Sequence, residues 1–195
     1  ALLADLCLQH AIIHPGFEAL ENESARRDVI RCLAAVEREI AFLDRLCADW
    51  AEGDAARRLI RAGDGGPSYV PLTETLAEHD LDVAFLVDPE GRVLGGHSMR
   101  VLERTALSFA SFPADRWDPN HALLSPARTR RPVCGPVPTE HGPLLVTAHP
   151  AQAGGTGDSP LGTVVIGRLL TPKRVERLSQ IAQVPFSRSE EHTSE

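Results

Sequence analysis

The residues best suited to chemistry in this chain are its histidines. Eight occur, at positions 10, 14, 79, 97, 121, 141, 149 and 192. No pair stands in an HExxH or HxH sequence, the patterns that place metal ligands on one side of a helix or strand. His10 and His14 have helical spacing, but Pro15 follows at once and no acidic ligand is fixed near them. The pattern therefore predicts no metal site, and we expect no cofactor.

Serine and glycine patterns do not predict a catalytic centre either. No Ser stands in a GxSxG sequence, the turn that exposes a catalytic nucleophile. The sequence GGTG at 154–157 lacks the phosphate-binding pattern GxxxxGK[ST] and lies between two predicted strands, where a hairpin turn is the simpler interpretation. The acidic residues scatter over predicted helix surfaces. We therefore predict no catalytic residues and no enzyme activity.

Three arginines, Arg128, Arg130 and Arg131, cluster just before a predicted strand. A guanidinium group binds carboxylate or phosphate through two parallel hydrogen bonds, so the cluster is suited to an acidic small molecule. The alternative is a basic surface loop that contacts only solvent. Nucleic acid is a poor candidate partner, because the net charge is −7 and phosphate binding needs clustered Lys and Arg.

Length and composition suit one domain with appendages. The 195 residues are 43% hydrophobic, enough for a core, and the four cysteines include no CxxC pair. No window reaches the ~20 apolar residues of a membrane span. We expect residues 1–16 to be the end of a preceding helix that connects to a membrane. Residues 188–195 read RSEEHTSE, which a common sequencing adapter encodes, so we expect native sequence to stop near Ser187.

Residues 17–56 are predicted to form one long helix, and Pro15-Gly16 to break or kink the chain before it. Apolar side chains recur every four and three residues, a spacing that keeps them on one side of a helix: Val29, Leu33, Val36, Ile40, Leu43, Cys47 and Trp50. Such a helix is roughly 60 Å long, more than a compact domain of this size needs. The stripe favours a contact with a second chain, packing onto the chain's own sheet, or both. We expect Val29, Leu33, Val36 and Ile40 to form a dimer seam, and the part from Leu43 to Trp50 to lie on the sheet.

The rest of the chain is rich in predicted strands. Residues 83–87 and 93–97 form a hairpin around the turn Asp88-Pro89-Glu90-Gly91-Arg92. Further strands are predicted at 130–137, 143–148 and 163–169, and the last two should pair directly through a Gly-rich turn. Helical spacing at 99–111 and 115–124 predicts a helical insertion, and a last helix begins at Pro172. The sum is an α+β domain with a five-stranded antiparallel sheet.

Four blocks of sequence in this order resemble the CHASE-type extracellular sensory domains, specifically the fourth type. They are FEALE at 17–21 opening the helix that ends near Trp50-Ala51, LDVAFLVDPEGRV at 81–93, GPLLVTAHP at 142–150 and LGTVVIGRL at 161–169. The resemblance covers residues 17–184, so we assign 17–187 to the sensory domain. The chain departs from the family pattern at Gly53, where a second Trp is usual.

The resemblance implies a PAS-like sensory fold on the periplasmic or extracellular face of a membrane, flanked by spans. Such domains bind a small molecule and pass a signal to a histidine kinase or to a cyclic-dinucleotide enzyme of GGDEF or EAL type, modules that this sequence does not contain. PAS-like sheets bind ligands between one face and the helical insertion. The ligand residues that we predict on this basis are Trp117, Arg128, Arg130, Arg131 and His149.

Two other functions remain open from the sequence. One is a helical dimerisation or coupling module that binds no small ligand, and the other is a small soluble enzyme. Apolar spans before and after these residues in the full gene would favour a sensory or coupling module, whereas a Met start without spans would favour an enzyme.

Overall fold

The protein is described by a computed structural model. The described residues are 14–54, 56, 76–100, 105–152 and 160–182, with the backbone alone for 14–25. The chain divides into two units, of which one comprises residues 39–171 and the other the described residues of 1–38 and 172–195. Of the predicted end of a preceding helix at 1–16, residues 1–13 lie outside the described residues, and so does the predicted non-native tail at 188–195. Residues 14–16 belong to the long helix described next.

The long predicted helix is present as α1, His14–Glu52. It contains Pro15 and Gly16 in its first turn, and the preceding piece that these residues are predicted to break or kink lies outside the described residues. Proline is tolerated in the first turn of a helix, where its missing N–H would have no partner within the helix. At the other end, the N–H of Gly53 donates to the carbonyl of Trp50 at 3.1 Å, and the helix stops there.

Within the described residues, the sheet is antiparallel and has six strands in the order β3-β2-β1-β6-β5-β4. The strands are β1 Val83–Val87, β2 Val93–Arg100, β3 Thr105–Ala106, β4 Val133–Thr139, β5 Gly142–Ala151 and β6 Gly162–Leu169. The predicted pairing of the last two strands is confirmed. The predicted turn between β1 and β2 is also confirmed: the Asp88 carboxylate accepts from the N–H groups of Glu90 and Arg92, and Gly91 takes the positive φ of 84°.

The helical insertion was predicted less well. The prediction of five strands missed β3, which falls inside residues 99–111 and pairs with the end of β2. The helix predicted at 115–124 is reduced to a 3-10 turn, Ala122–Leu124, followed by the short helix α2, Ser125–Thr129. Pro113 and Pro119 interrupt any longer helix in this stretch. The apolar residues of this stretch include Phe109, Phe112 and Trp117, which pack in the core cluster from outside any helix.

Strand β4 begins three residues later than predicted. Arg130 ends α2 in the left-handed conformation, with φ of 57°, so an extended strand cannot include it. Strand β4 lies at the edge of the sheet and contains Pro136 and Pro138. An edge position suits proline, because proline has no N–H to donate to a further strand.

The two faces of the sheet have different partners. Side chains alternate between faces along a strand, and we name the faces by residues of β5. The core face carries Val146 and Ala148, and the helix face carries Thr147 and His149. The core face packs against the segment between β3 and β4, in one apolar cluster: Val83, Phe85, Val87, Phe109, Phe112, Trp117, Leu123, Leu124, Leu144, Val146, Ala148, Val165 and Leu169.

The helix face receives the C-terminal part of α1. Leu43 and Cys47 are fully buried there. The Cys47 thiol approaches the carbonyl oxygen of Val164 at 3.4 Å and that of Thr147 at 3.7 Å, which places this turn of α1 over β5 and β6. Burial raises the pKa of the Cys47 thiol.

The predicted last helix is present as α3, Pro172–Ala182. In the unit that contains it, Leu178 packs against Cys32 and Ala35 of α1. The first and last described elements of the chain are therefore in direct contact. No helix among the described residues combines the length and the apolar character that a membrane span requires.

Candidate functional site

Aromatic rings fill the core face at the predicted ligand site. The Trp117 ring lies 5.3 Å, between centroids, from each of the Phe85 and Phe112 rings. Its indole N–H donates to the carbonyl of Pro113 at 2.9 Å, so its polar group is satisfied within the protein. Because Trp117 is only 2% exposed, its main contacts in this structure are with the protein core.

A partly buried imidazole borders this cluster. The His121 ring lies 5.6 Å from Phe112 and 5.2 Å from Trp117, between centroids. Its Nδ1 accepts a hydrogen bond from the N–H of Leu123 at 3.2 Å, as the cap of the 3-10 turn. Burial lowers the pKa of His121, and the nearby Asp118 carboxylate partly opposes this effect.

A second imidazole lies at the turn between β4 and β5. The His141 ring contacts Phe109 at 5.2 Å, and its Nε2 lies 2.8 Å from the carbonyl oxygen of Ser108. Beside it, the Glu140 carboxylate accepts from the N–H of Ala110 at 2.6 Å, and this bond lowers the pKa of Glu140. The turn is thus fastened to the aromatic segment by two polar contacts.

The three predicted arginines lie at the end of α2. Arg128, Arg130 and Arg131 are all exposed. The guanidinium of Arg128 donates to the carbonyl of Pro119 at 2.6 Å, which joins the helix to the loop that precedes it. The segment reaches the core face through Leu123 and Leu124, so it lies on the same side of the sheet as Trp117.

His149 lies on the other side of the sheet. Its Nε2 is 2.8 Å from Oδ1 of Asp44 in α1, and the Thr147 hydroxyl donates to the same carboxylate oxygen at 3.2 Å. Since Trp117 packs on the core face, the structure does not bring His149 together with the other predicted ligand residues. His149 instead joins β5 to α1.

Sequence reasoning missed Arg168 of β6. Its guanidinium pairs with the Glu39 carboxylate of α1 and donates to the carbonyls of His79, at 2.5 Å, and Asp80, at 2.9 Å. The Phe42 ring lies 5.5 Å from the guanidinium carbon. One side chain thus joins a strand, a helix and the loop before β1. The signal was available, because a charged residue inside the apolar run of 163–169 needs a partner when it is buried.

Asp82 was also missed. It is fully buried, and its Oδ2 accepts from the N–H of Leu169 at 2.8 Å. Its own N–H donates to the carbonyl of Gly167 at 3.0 Å. A carboxylate just before the apolar strand 83–87 was the sequence signal, since such a group is rarely buried without hydrogen-bond donors. Asp82 fixes the start of β1 to the end of β6.

The apolar stripe of α1 changes its surroundings along the helix. Val29 and Leu33 are each 57% exposed, Val36 and Ile40 are half-buried, and Leu43 is fully buried. The same periodic stripe therefore packs on the sheet at the C-terminal end of α1. At the N-terminal end of α1 it leaves large apolar side chains in solvent.

Among the described residues, no group of three or more His, Cys, Asp or Glu side chains is arranged to hold a metal ion. The side chains of His141, His149 and Arg168 make structural contacts between elements. Strands β1 and β6, with the Gly167-Arg168 pair, fall within the blocks that resemble a sensory domain.

The sequence pattern of the CHASE4 domain matches residues 35–189, most of the chain. The chain belongs to the CHASE4 family. CHASE4 domains are extracellular sensory domains typical of membrane signal transducers, and the family role is sensory and not catalytic. No protein with a curated description shows significant sequence similarity to this CHASE4 chain.

Proposed function

We propose that this CHASE4 domain is the ligand-sensing domain of a membrane-bound signal transducer. It lies on the periplasmic or extracellular face of the membrane, between spans that flank it. Its output module is a sensor histidine kinase or a cyclic-dinucleotide enzyme of GGDEF or EAL type. The proposal rests on the family match together with one contact, that of Leu178 in α3 with Cys32 and Ala35 in α1.

That contact is the structural feature that transmission requires. α1 leads into the sheet and α3 leads out of it, and the two pack side by side. A displacement of α1 therefore acts directly on α3 through this contact. Packed helices tend to have discrete arrangements and not a continuum, so a small shift at this contact suits an on–off signal.

The sheet supports a fold of PAS type. Leaving out the short β3, the strand order is β2-β1-β6-β5-β4, with antiparallel neighbours throughout. The segment between β3 and β4 packs on the core face, where PAS-like sheets bind their ligands.

The ligand is a small acidic molecule that binds at the end of α2. Arg130 and Arg131 expose their side chains beside Arg128, on the side of the sheet that carries Trp117. Paired guanidinium groups suit carboxylate or phosphate. His149 has no part in this site, because it lies on the helix face with Asp44.

The protein acts as a homodimer through the N-terminal part of α1. The exposed side chains of Val29, Ile30 and Leu33 are the apolar surface that a second chain would cover. A two-fold pair is the commonest way in which such a surface is closed, because the same patch then serves both partners.

A coupling module without a small ligand is the second candidate. The observation that favours it is the close packing of the core face, where Phe109, Phe112 and Trp117 are each 2% exposed. Thermal denaturation with citrate, succinate and inorganic phosphate separates the two functions. A sensory domain is stabilised by at least one such acid, since a ligand that binds only the folded state raises the melting temperature. A coupling module is stabilised by none.

A further inference from the structure

We propose that His121 is a proton-operated latch, which holds the segment 122–129 on the core face when its imidazole is neutral and releases it when the imidazole is protonated. The latch concerns the conformation of this segment, so it stands whether or not the segment binds an acidic ligand. It would make the domain responsive to the pH outside the cell.

The geometry requires the neutral ring. Nδ1 of His121 accepts the N–H of Leu123 at 3.2 Å, and a ring nitrogen can accept only while it carries no proton. The proton of the neutral imidazole must therefore lie on Nε2. The backbone of His121, with φ of −55° and ψ of 133°, has the extended geometry typical of a residue that caps a helical turn.

Protonation removes this acceptor. A proton taken from solvent onto Nδ1 places one N–H opposite another, and the hydrogen bond to Leu123 is lost. It also places a positive charge at the edge of the aromatic cluster, against the uncharged rings of Phe112 and Trp117. Burial disfavours that charge and lowers the pKa of His121.

The charged groups around the ring are few among the described residues. The carboxylate of Asp118 lies close enough to oppose the effect of burial. The guanidinium of Arg128 binds the carbonyl of Pro119, two residues before the histidine. The neighbouring rings of Phe112 and Trp117 and the side chain of Leu123 carry no charge. Burial outweighs the attraction of Asp118, so the direction of the pKa shift favours the neutral, capped state.

The capped turn holds the segment that follows it. Leu123 and Leu124 are 3% and 0% exposed in the core, and the Ser125 hydroxyl donates back to the carbonyl of Ala122 at 2.7 Å. α2 continues directly from this turn. Loss of the cap therefore weakens the attachment of the whole stretch that ends at Arg130.

The sign of the pH dependence follows from the lowered pKa. A group with a lower pKa in the folded state than in the unfolded state stabilises the fold fully above its unfolded pKa, about 6.5 for histidine. That contribution is lost as the pH falls through the folded pKa. The latch is therefore closed at neutral pH and opens in acid, below about pH 6.5.

Amide hydrogen exchange tests the latch, with protection factors corrected for the intrinsic effect of pH. Between pH 7.5 and pH 5, we expect protection of the Leu123 and Leu124 amides to fall about fivefold in the wild-type protein, the scale of a lost cap. The matched variant is His121→Asn, because Asn caps a turn well but does not titrate. Its protection should stay constant over the same range. His141→Asn, which removes the other imidazole of the cluster, should behave like the wild type.

Constant protection in the wild type would overturn the proposal, and so would an equal loss in His121→Asn. If that variant does not fold, NMR titration of the His121 ring in the wild type decides instead. If the His121 ring titrates at the same pH at which protection of the Leu123 amide is lost, the latch is supported. Loss of protection at a different pH contradicts it.

Discussion

Arg168 of β6 pairs with Glu39 of α1 across the helix face of the sheet. The same guanidinium donates to the carbonyls of His79 and Asp80. Arg168 is therefore shared by three parts of one unit, and it attaches the helix that leads into the domain to a central strand of the sheet.

Removing this guanidinium should destabilise the domain substantially. Arg168→Met keeps the length of the side chain but leaves Glu39 and two carbonyls without their donor. The side chains of the pair are only 12% and 20% exposed, so we expect a loss of about 3 kcal/mol in the free energy of unfolding, at the low end for breaking a buried ion pair. Urea denaturation of both proteins measures this difference in the free energy of unfolding.

The controls for this pair are Glu39→Gln and the double variant that combines it with Arg168→Met. If the pair is coupled, the loss in the double variant is smaller than the sum of the two single losses. Additive losses would show that Arg168 acts through contacts other than the one with the Glu39 carboxylate.

The dimer proposal predicts different outcomes for two leucines of the same stripe. Leu33→Asp should dissociate the dimer and leave a folded monomer, because Leu33 is 57% exposed. Leu43→Asp should unfold the domain instead, because Leu43 is fully buried and its new carboxylate would have no partner. Sedimentation measures the assembly and circular dichroism the fold. A dimer that survives Leu33→Asp would show that this end of the stripe is not the seam.

Cysteine reactivity should report the position of α1 on the sheet. The Cys47 thiol is buried and its pKa is raised, so it should not react with iodoacetamide in the folded protein, whereas exposed Cys134 should react. Because the folded state favours the neutral thiol, stability should also decline as the pH rises above about 9. Mass spectrometry of alkylated peptides checks the first outcome. Modification of Cys47 at the same rate as Cys134 would mean that α1 leaves the sheet readily.

Two glycines of β6 should differ in their tolerance of alanine. A Cβ at Gly162 would strike the backbone carbonyl of Val87, which cannot move without the strand, whereas a Cβ at Gly167 would meet the Leu145 carbonyl at 3.1 Å and a flexible Leu144 side chain. We expect Gly162→Ala to cost about 2 kcal/mol, typical of overpacking, and Gly167→Ala to cost less. Chemical denaturation of both variants checks the order, and the reverse order would contradict the pairing of β6 with β1.

The parts predicted well from sequence are those with a strong local signal. The stripe from Val29 to Trp50 has one period over many turns, and the turn at Asp88-Pro89 has the chemistry of a hairpin. The segment between β2 and β4 was predicted poorly, because Phe109, Phe112 and Trp117 are placed by contacts with the distant sheet and not by their neighbours in sequence.

The face of the sheet on which His149 lies could not be predicted, for a related reason. Strand β5 is buried on both faces from Leu144 to Ala148, so its sequence shows no alternation that would assign His149 to a face. A shift of one residue exchanges the faces, and only the pairing with β6 fixes the register. Asp44 could not be linked to His149 from sequence, since α1 and β5 are far apart in the chain.

Calorimetric titration tests the proposed ligand site most directly. The probes are citrate, succinate and inorganic phosphate, added to the wild-type protein and to Arg130→Asn. Asn is chosen because Arg130 has φ of 57°, a conformation that Asn tolerates better than Ala does. The matched control is Arg116→Gln, which removes an exposed arginine of the same segment outside the cluster.

We expect at least one probe to bind the wild type and Arg116→Gln equally, and to lose at least tenfold in affinity for Arg130→Asn. At 100 times its dissociation constant, that probe should stabilise the fold by about 2.7 kcal/mol. This corresponds to a rise of roughly 5 to 11 °C in melting temperature for a domain of this size. Equal affinity for all three proteins, or no binding of any probe to the wild type, would contradict an acid-sensing site at these arginines.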